Sequence, residues 1–213
     1  MRTPAGHWDA VHADRGSTDV SWYEADPSTS LRLVTGFSEP GHPVVDVGGG
    51  ASLLVDALLD RGWRDVTVLD VSAYALAEVQ GRLDNDREIA AGVQLAAADV
   101  LTWRPRHRYG VWHDRALFHF LTTPEGRDGY ARAANRAVEP GGVVIIGAFA
   151  LDGPTACSGL PVQRYDAEEL AAQFAPGFEL VHQERQQHTT PSGSTQPLTW
   201  VVLRHIGGSR GSP

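Results

Sequence analysis

The segment VVDVGGGASLLVDALLDRG, Val44 to Gly62, constrains this chain more than any other. Its opening residues are apolar on both faces, the pattern of a strand covered from two sides. Three glycines interrupt the run, and Leu53, Leu54, Ala57 and Leu58 then share one helical face. A strand that enters a helix through glycines begins a βαβ unit, and such a loop offers backbone N–H groups to a nucleotide-like ligand. Asp46, two residues before the first glycine, complicates this reading. A carboxylate there raises the cost of holding a doubly anionic pyrophosphate.

The rest of the chain repeats the unit. Apolar runs of strand length occur at 43–48, 65–71, 92–100, 109–114 and 141–149. Between them lie helical patterns, with Leu76, Val79 and Leu83 spaced i, i+3, i+7. Thr123 caps a further helix whose first position is Pro124, tolerated there because no N–H is needed. Asp166 and Glu169 stand at capping-box spacing. The last two runs, 178–184 and 198–205, have no helix between them and read as an antiparallel hairpin joined by a long polar loop. The expected fold is α/β: a doubly wound, Rossmann-like sheet of seven strands whose last pair is antiparallel. A single domain over 1–206 is expected, with 1–38 as a cap segment, 40–206 as the core and 207–213 as a flexible tail.

Charge and composition narrow the partners. The formal net charge of −8 opposes general binding to nucleic acid or anionic membrane. RPRHR, 104–108, is the one basic cluster and reads as a solvated loop. A single cysteine, no signal-peptide pattern and no run of membrane-spanning length point to a cytoplasmic protein; a monomer or homodimer is expected. The nine histidines show no ligand spacing, so no metal is expected.

The acids identify the ligand. Gly48 and Gly50 fit a G-x-G-x-x-G dinucleotide fingerprint, but its third position is Leu53. Asp70 closes the second strand 24 residues after Asp46, a spacing that suits a carboxylate accepting from ribose hydroxyls. Asp99 closes the third, placed to receive an adenine amino group while Val100 and Leu101 pack the ring. Each acid alone is commonly a turn former. Together with the loop they favour a cationic adenosine ligand without phosphate, S-adenosylmethionine (SAM), leaving S-adenosylhomocysteine (SAH) as product.

With these residues in place the chain resembles the class I SAM-dependent methyltransferases, in the small stand-alone bacterial form. DVGGGAS looks like their first motif, with Ser52 where the third glycine usually stands; LDVS and ADV resemble the ribose and adenine segments, and VEPGG the turn before the fifth strand. The implied cofactor contacts are Asp46, Gly48, Gly49, Gly50, Ser52, Asp70, Val71, Asp99, Val100, Asp114 and Arg115. Ser52 also suits a helix cap. Candidate bases are His119, His188 and Asp114, against plainer readings in which Asp114 pairs with Arg115 and His119 packs under the sheet edge. Trp22, Tyr23, Cys157, Arg164, Tyr165 and His188 are candidate acceptor contacts; anchoring, pocket lining and a solvated hairpin tip are the alternatives. The D/N-P-P-F/Y motif of nucleobase methyltransferases of this fold is missing, with HDRA in its place. A small-molecule acceptor is therefore expected, such as a thiol or another chalcogen nucleophile. The other readings are a protein lysine methyltransferase, an NAD-dependent reductase and a non-catalytic SAM-binding module.

Overall fold

The structure, a computed structural model, describes residues 4–84 and 91–207. A seven-stranded sheet runs through its centre in the order β3-β2-β1-β4-β5-β9-β8. Five strands are parallel: β1 (Val44–Val47), β2 (Val66–Asp70), β3 (Val93–Ala97), β4 (Tyr109–Arg115) and β5 (Val138–Phe149). β8 (Phe178–Thr189) and β9 (Thr195–His205) add the antiparallel pair, β9 against β5. The chain order reverses between β1 and β4, where open α/β sheets form their ligand crevice.

Strand alternation sends side chains into two cores. Val111, Val143 and Ile145 join the core under α2 (Ser28–Phe37) and α3 (Leu54–Asp60). Trp112, Val144 and Ile146 join the other, with Tyr130, Ala133 and Ala137 of α5 (Pro124–Ala137). α4 (Ala73–Leu83) buries Leu76, Val79 and Leu83, and α6 (Ala167–Ala172) anchors through Leu170. The caps form as their residues dictate. The Thr123 side chain accepts from the Gly126 N–H, and Asp166 and Glu169 make a reciprocal capping box.

Two differences from the sequence reading matter. The closing hairpin is far longer: its strands continue to Thr189 and resume at Thr195, so His188 pairs with Gln196 inside the sheet rather than at a solvated tip. Its polar stretch alternates between covered and exposed positions because one face docks on polar N-terminal residues; Glu184 meets Arg32, and Gln186 meets Glu24. The second difference is α1 (Pro4–Arg15), a helix in the segment whose sequence showed only polarity. Residues 208–213, most of the expected tail, lie outside the described residues. No helix among the described residues is long and apolar enough to cross a membrane.

Candidate active site at the carboxyl end of the sheet

Beyond β1 the chain turns through Gly48 and Gly50, with φ of +68° and +51°. Gly48 and Gly49 donate to the Leu69 carbonyl at 2.7 and 3.3 Å, which fixes the loop against β2. Gly48 and Gly49 have no room for side chains. A Cβ on Gly48 would lie 2.6 Å from Leu117 Cδ1, and one on Gly49 would lie 2.6 Å from Asp46 Oδ2. Ser52 Oγ accepts from the Leu54 N–H at 3.1 Å, at the first residue of α3. Arg82 of α4 donates to the Ser52 carbonyl at 2.7 Å and pairs with Asp56 at 3.0 Å, so the loop is braced from outside as well.

The loop forms one wall of a cavity of about 610 Å³, well within the ~300–1,000 Å³ of small-molecule sites. Gly48, Gly50, Asp70, Val71, Asp99, Val100 and Arg115 all line it. Asp70 Oδ1 accepts from the Ser72 N–H at 2.8 Å. Burial raises the Asp70 pKa to about 6 against the opposing N–H groups of Ser72 and Gly50, and the charge of Asp46 raises it further. Asp99 is exposed and accepts from the Leu101 N–H at 2.8 Å.

Asp46 sits elsewhere than expected. It lies 3% exposed beneath the loop, Oδ1 2.7 Å from His113 Nδ1, bordering a smaller polar pocket of about 50 Å³. Gly49, Ser52, Tyr23, Glu24 and His113 border the same pocket. Its carboxylate therefore acts on the main cavity through its field rather than by contact. Gly48, His12, Trp22 and Arg115 line both spaces and join them.

The roof is the part that the sequence did not disclose. α1 contributes His7, Trp8 and His12, and Trp22 follows on the next segment. Trp8 packs edge-on against Trp22 and Phe120, with ring centroids 5.6 and 5.0 Å apart. Asp9 fastens the helix to α4 by accepting from Ser72 Oγ at 2.7 Å and the Tyr74 N–H at 3.3 Å. Burial lowers the His12 pKa, against the opposing charges of Glu78 and Asp9. Trp8 and His12 stand i, i+4, and that spacing in an otherwise polar helix was the one available signal. Ala116, Leu117, Phe120 and Leu121 after β4, with Cys157 and Leu160 of a two-strand ribbon (β6, Ala156–Cys157; β7, Leu160–Pro161), complete the walls.

Five expected site residues lie off both spaces. Asp114 projects to the opposite face of β4, fully buried, where it accepts from Tyr130 Oη and from the N–H groups of Leu117 and Phe118 at 2.9 and 3.3 Å. Burial raises its pKa to about 6. It braces the turn after β4 and touches no cavity. His119 is enclosed beside Phe120 and Phe149, and burial, helped by the Arg115 charge, lowers its pKa to about 3, too weak for a base. His188 donates through Nε2 to the Ser21 carbonyl at 2.8 Å. Arg164 donates to the Leu151 and Gly153 carbonyls at 2.6 and 3.1 Å, and Tyr165 packs on Phe118 in the second core. Arg115 does reach the site, pairing with Glu24 at 2.9 Å and donating to the Trp22 carbonyl at 2.6 Å. Among the described residues no group of His, Cys, Asp and Glu is arranged to hold a metal ion.

Strand order, glycine turn and the acids after β2 and β3 define the class I methyltransferase fold. Residues 44–142 match the model of the methyltransferase-domain family. Three solved structures share the fold. One, reported for conversion of a disulfide bond into a thioacetal group during echinomycin biosynthesis, is 21% identical, with 96% of this chain and 94% of that chain covered and a TM-score of 0.76. The N-methyltransferase NodS from Bradyrhizobium japonicum, in complex with SAH, is 14% identical, covers 94% and 99%, and scores 0.73. The 1,6-didemethyltoxoflavin-N1-methyltransferase from Burkholderia thailandensis, with 1,6-didemethyltoxoflavin and SAH bound, is 21% identical, covers 97% and 92%, and scores 0.71. No curated protein matches the chain in sequence.

Proposed function

We propose that this chain is a SAM-dependent methyltransferase acting on a small molecule, with a thiol or related chalcogen nucleophile as the acceptor. The observation that carries the reading is one continuous cavity that joins the glycine turn, Asp70 and Asp99 to a chamber bordered by Trp8, Trp22 and Phe120. The polar atoms fit the cofactor. Asp70 offers a carboxylate for ribose hydroxyls, and Val100 and Leu101 offer an apolar face for adenine. His113 Nε2 and Arg115 Nε, beside the small polar pocket, are buried without a hydrogen-bond partner, as an amino-acid end requires. The cofactor supplies a methyl group on a cationic sulfur. The residues of the chain orient the two reactants, and the aromatic roof keeps water out.

The acceptor follows from what the chamber holds. The only carboxylates on the cavity wall among the described residues, Asp70 and Asp99, stand at the nucleoside end. Neither His119 nor His188 faces the cavity, and the proton acceptors nearest the roof are His7 and His12 of α1. Such a site suits an acceptor that is nucleophilic with little help, and a thiol or hydrosulfide ionises near neutral pH. A protein lysine substrate calls for an open acidic groove, and α1 covers the cavity instead.

Calorimetric titration with SAM, SAH and NAD tests the cofactor. Micromolar binding of the first two and none of NAD is the expected result; NAD binding without SAH would end the reading. Asp70→Ala should weaken SAH binding by about 1–3 kcal/mol through loss of charge-assisted hydrogen bonds. In the wild type, affinity should fall as pH drops through about 6, because ribose hydroxyls favour the ionised Asp70 and protonation removes the acceptor. A flat profile from pH 8 to 5 would exclude Asp70 from the contact. Release of SAH over a panel of thiols, hydrosulfide, amines, phenols and carboxylates then identifies the acceptor, and turnover confined to the amines would remove the chalcogen assignment.

A further inference from the structure

Trp22 lines both the main cavity and the small polar pocket, with Gly48, His12 and Arg115. Its segment belongs to no helix or strand, and a single turn, closed by the Tyr23 N–H donating to the Val20 carbonyl at 3.0 Å, is its local backbone support. Two side chains from elsewhere in the fold, together with Glu24 of the segment itself, add the rest. Arg115 at the end of β4 donates to the Trp22 carbonyl at 2.6 Å. His188, next to the last residue of β8, donates to the adjacent Ser21 carbonyl at 2.8 Å. Glu24 closes the ring: its Oε1 lies 2.9 Å from Arg115 Nη2 and 3.4 Å from His188 Nδ1, and it also accepts from Gln186 at 3.1 Å. Gln186 is held in turn by Trp200 Nε1 at 2.8 Å. Burial works to raise the Glu24 pKa, but the His188 hydrogen bond and the Arg115 charge outweigh it and hold the carboxyl below its ordinary value.

We infer that His188 is a positioning residue: with Glu24 and Arg115 it forms a clamp that fixes Trp22 at the junction of the two spaces and thereby keeps the cap segment closed over the site. The clamp spans the sheet. It couples the edge strand β8 to the aromatic roof, although His188 itself touches neither space. Its donor fills a need that the loop does not meet alone, because the half-buried Ser21 and Trp22 carbonyls are better satisfied by fixed partners. The length of the closing hairpin gains a purpose here, since a hairpin ending at residue 184 would leave Ser21 and Glu24 without His188. The inference concerns closure of the cap and stands whether or not the chain transfers a methyl group.

The chain carries its own reporter. Cys157, the sole cysteine, is buried on the cavity wall with Sγ 3.9 Å from Ser21 Oγ, the residue that His188 holds. In the full chain, well below the melting temperature, the rate at which an aromatic disulfide reagent modifies Cys157 reads the opening of this segment. His188→Leu removes the donor and should raise that rate tenfold or more while far-ultraviolet circular dichroism stays unchanged. His188→Gln, whose amide can still donate to Ser21, should restore a rate within threefold of wild type. Near-ultraviolet dichroism should change in His188→Leu and not in His188→Gln, because Trp22 loses its fixed environment only in the former. In a Trp22→Ala background, His188→Leu should change the rate less than twofold, since both substitutions open the same element. A wild-type rate in His188→Leu, or an unrescued rise in His188→Gln, would overturn the clamp. Should His188→Leu fail to fold, Glu24→Gln opens the ring from its other side and should raise the rate at least threefold; an unchanged rate there also refutes the proposal.

Discussion

Gly48→Ala should lower SAH affinity on the order of 100-fold while leaving the protein folded. The residue sits at φ +68°, where an L side chain costs about 1–2 kcal/mol. The larger effect is steric. The new Cβ would lie 2.6 Å from Leu117 Cδ1 and 2.8 Å from Leu117 Cβ, and Leu117 cannot retreat because Asp114 holds its N–H at 2.9 Å. Either the glycine turn or Leu117 must shift into the cavity that both line. Gly36→Ala in α2 is the matched control: a Cβ there meets nothing within 4 Å, and the exchange should stabilise the helix by about 0.5–1 kcal/mol. Calorimetry with SAH on both variants decides the matter, and an unchanged dissociation constant for Gly48→Ala would show that ligand does not rest on this turn.

A comparable loss, in stability rather than affinity, should follow Asp114→Ala. The carboxylate accepts from Tyr130 Oη and two backbone N–H groups, and Tyr130 Oη accepts in turn from Trp112 Nε1 at 2.8 Å. Removing it leaves three buried donors without an acceptor, each costing about 1–3 kcal/mol. The cost of burying Asp114 offsets part of this, and its raised pKa records that cost. We expect a net loss of about 3 kcal/mol at pH 7. Asp114→Asn keeps an acceptor for the backbone donors and should lose about half as much. The pH dependence has a definite sign. The folded pKa of about 6 exceeds the ordinary value of 3.8, so the folded state binds the proton more tightly, and this group's contribution grows as pH falls from above 6 toward 4. The deficit of Asp114→Ala relative to wild type should therefore widen over that interval. Urea unfolding at pH 7 and pH 5 measures it, and a deficit below about 1 kcal/mol at both would remove Asp114 from its bracing role.

The two sets of site residues differ in how readable they were. Gly48, Gly50, Asp70, Val71, Asp99 and Val100 stand at strand ends, and strand ends follow from hydrophobic runs and turn chemistry, both local in sequence. Asp114, His119 and His188 were placed near the site because their segments are near it, and direction defeated that inference. Side chains alternate along a strand, so His113 and Arg115 face the glycine turn while Asp114, between them, enters the opposite core beside Tyr130. Tyr165, in the loop before α6, also enters the second core, where it packs on Phe118. His188 was misplaced because its strand is polar, and polar alternation reads as loop until the surface it docks on is known.

The chain by itself determined its layers, the antiparallel last pair of its sheet, and the glycine turn with the acids after β2 and β3, because those depend on periodicity and on the steric demands of single residues. Tertiary structure alone decided which side of β4 each polar group enters, that Asp46 turns inward to His113, and that α1 with Trp8 and His12 closes the cavity. These rest on contacts between residues far apart in sequence, where burial and hydrogen-bond satisfaction are settled by the assembled fold.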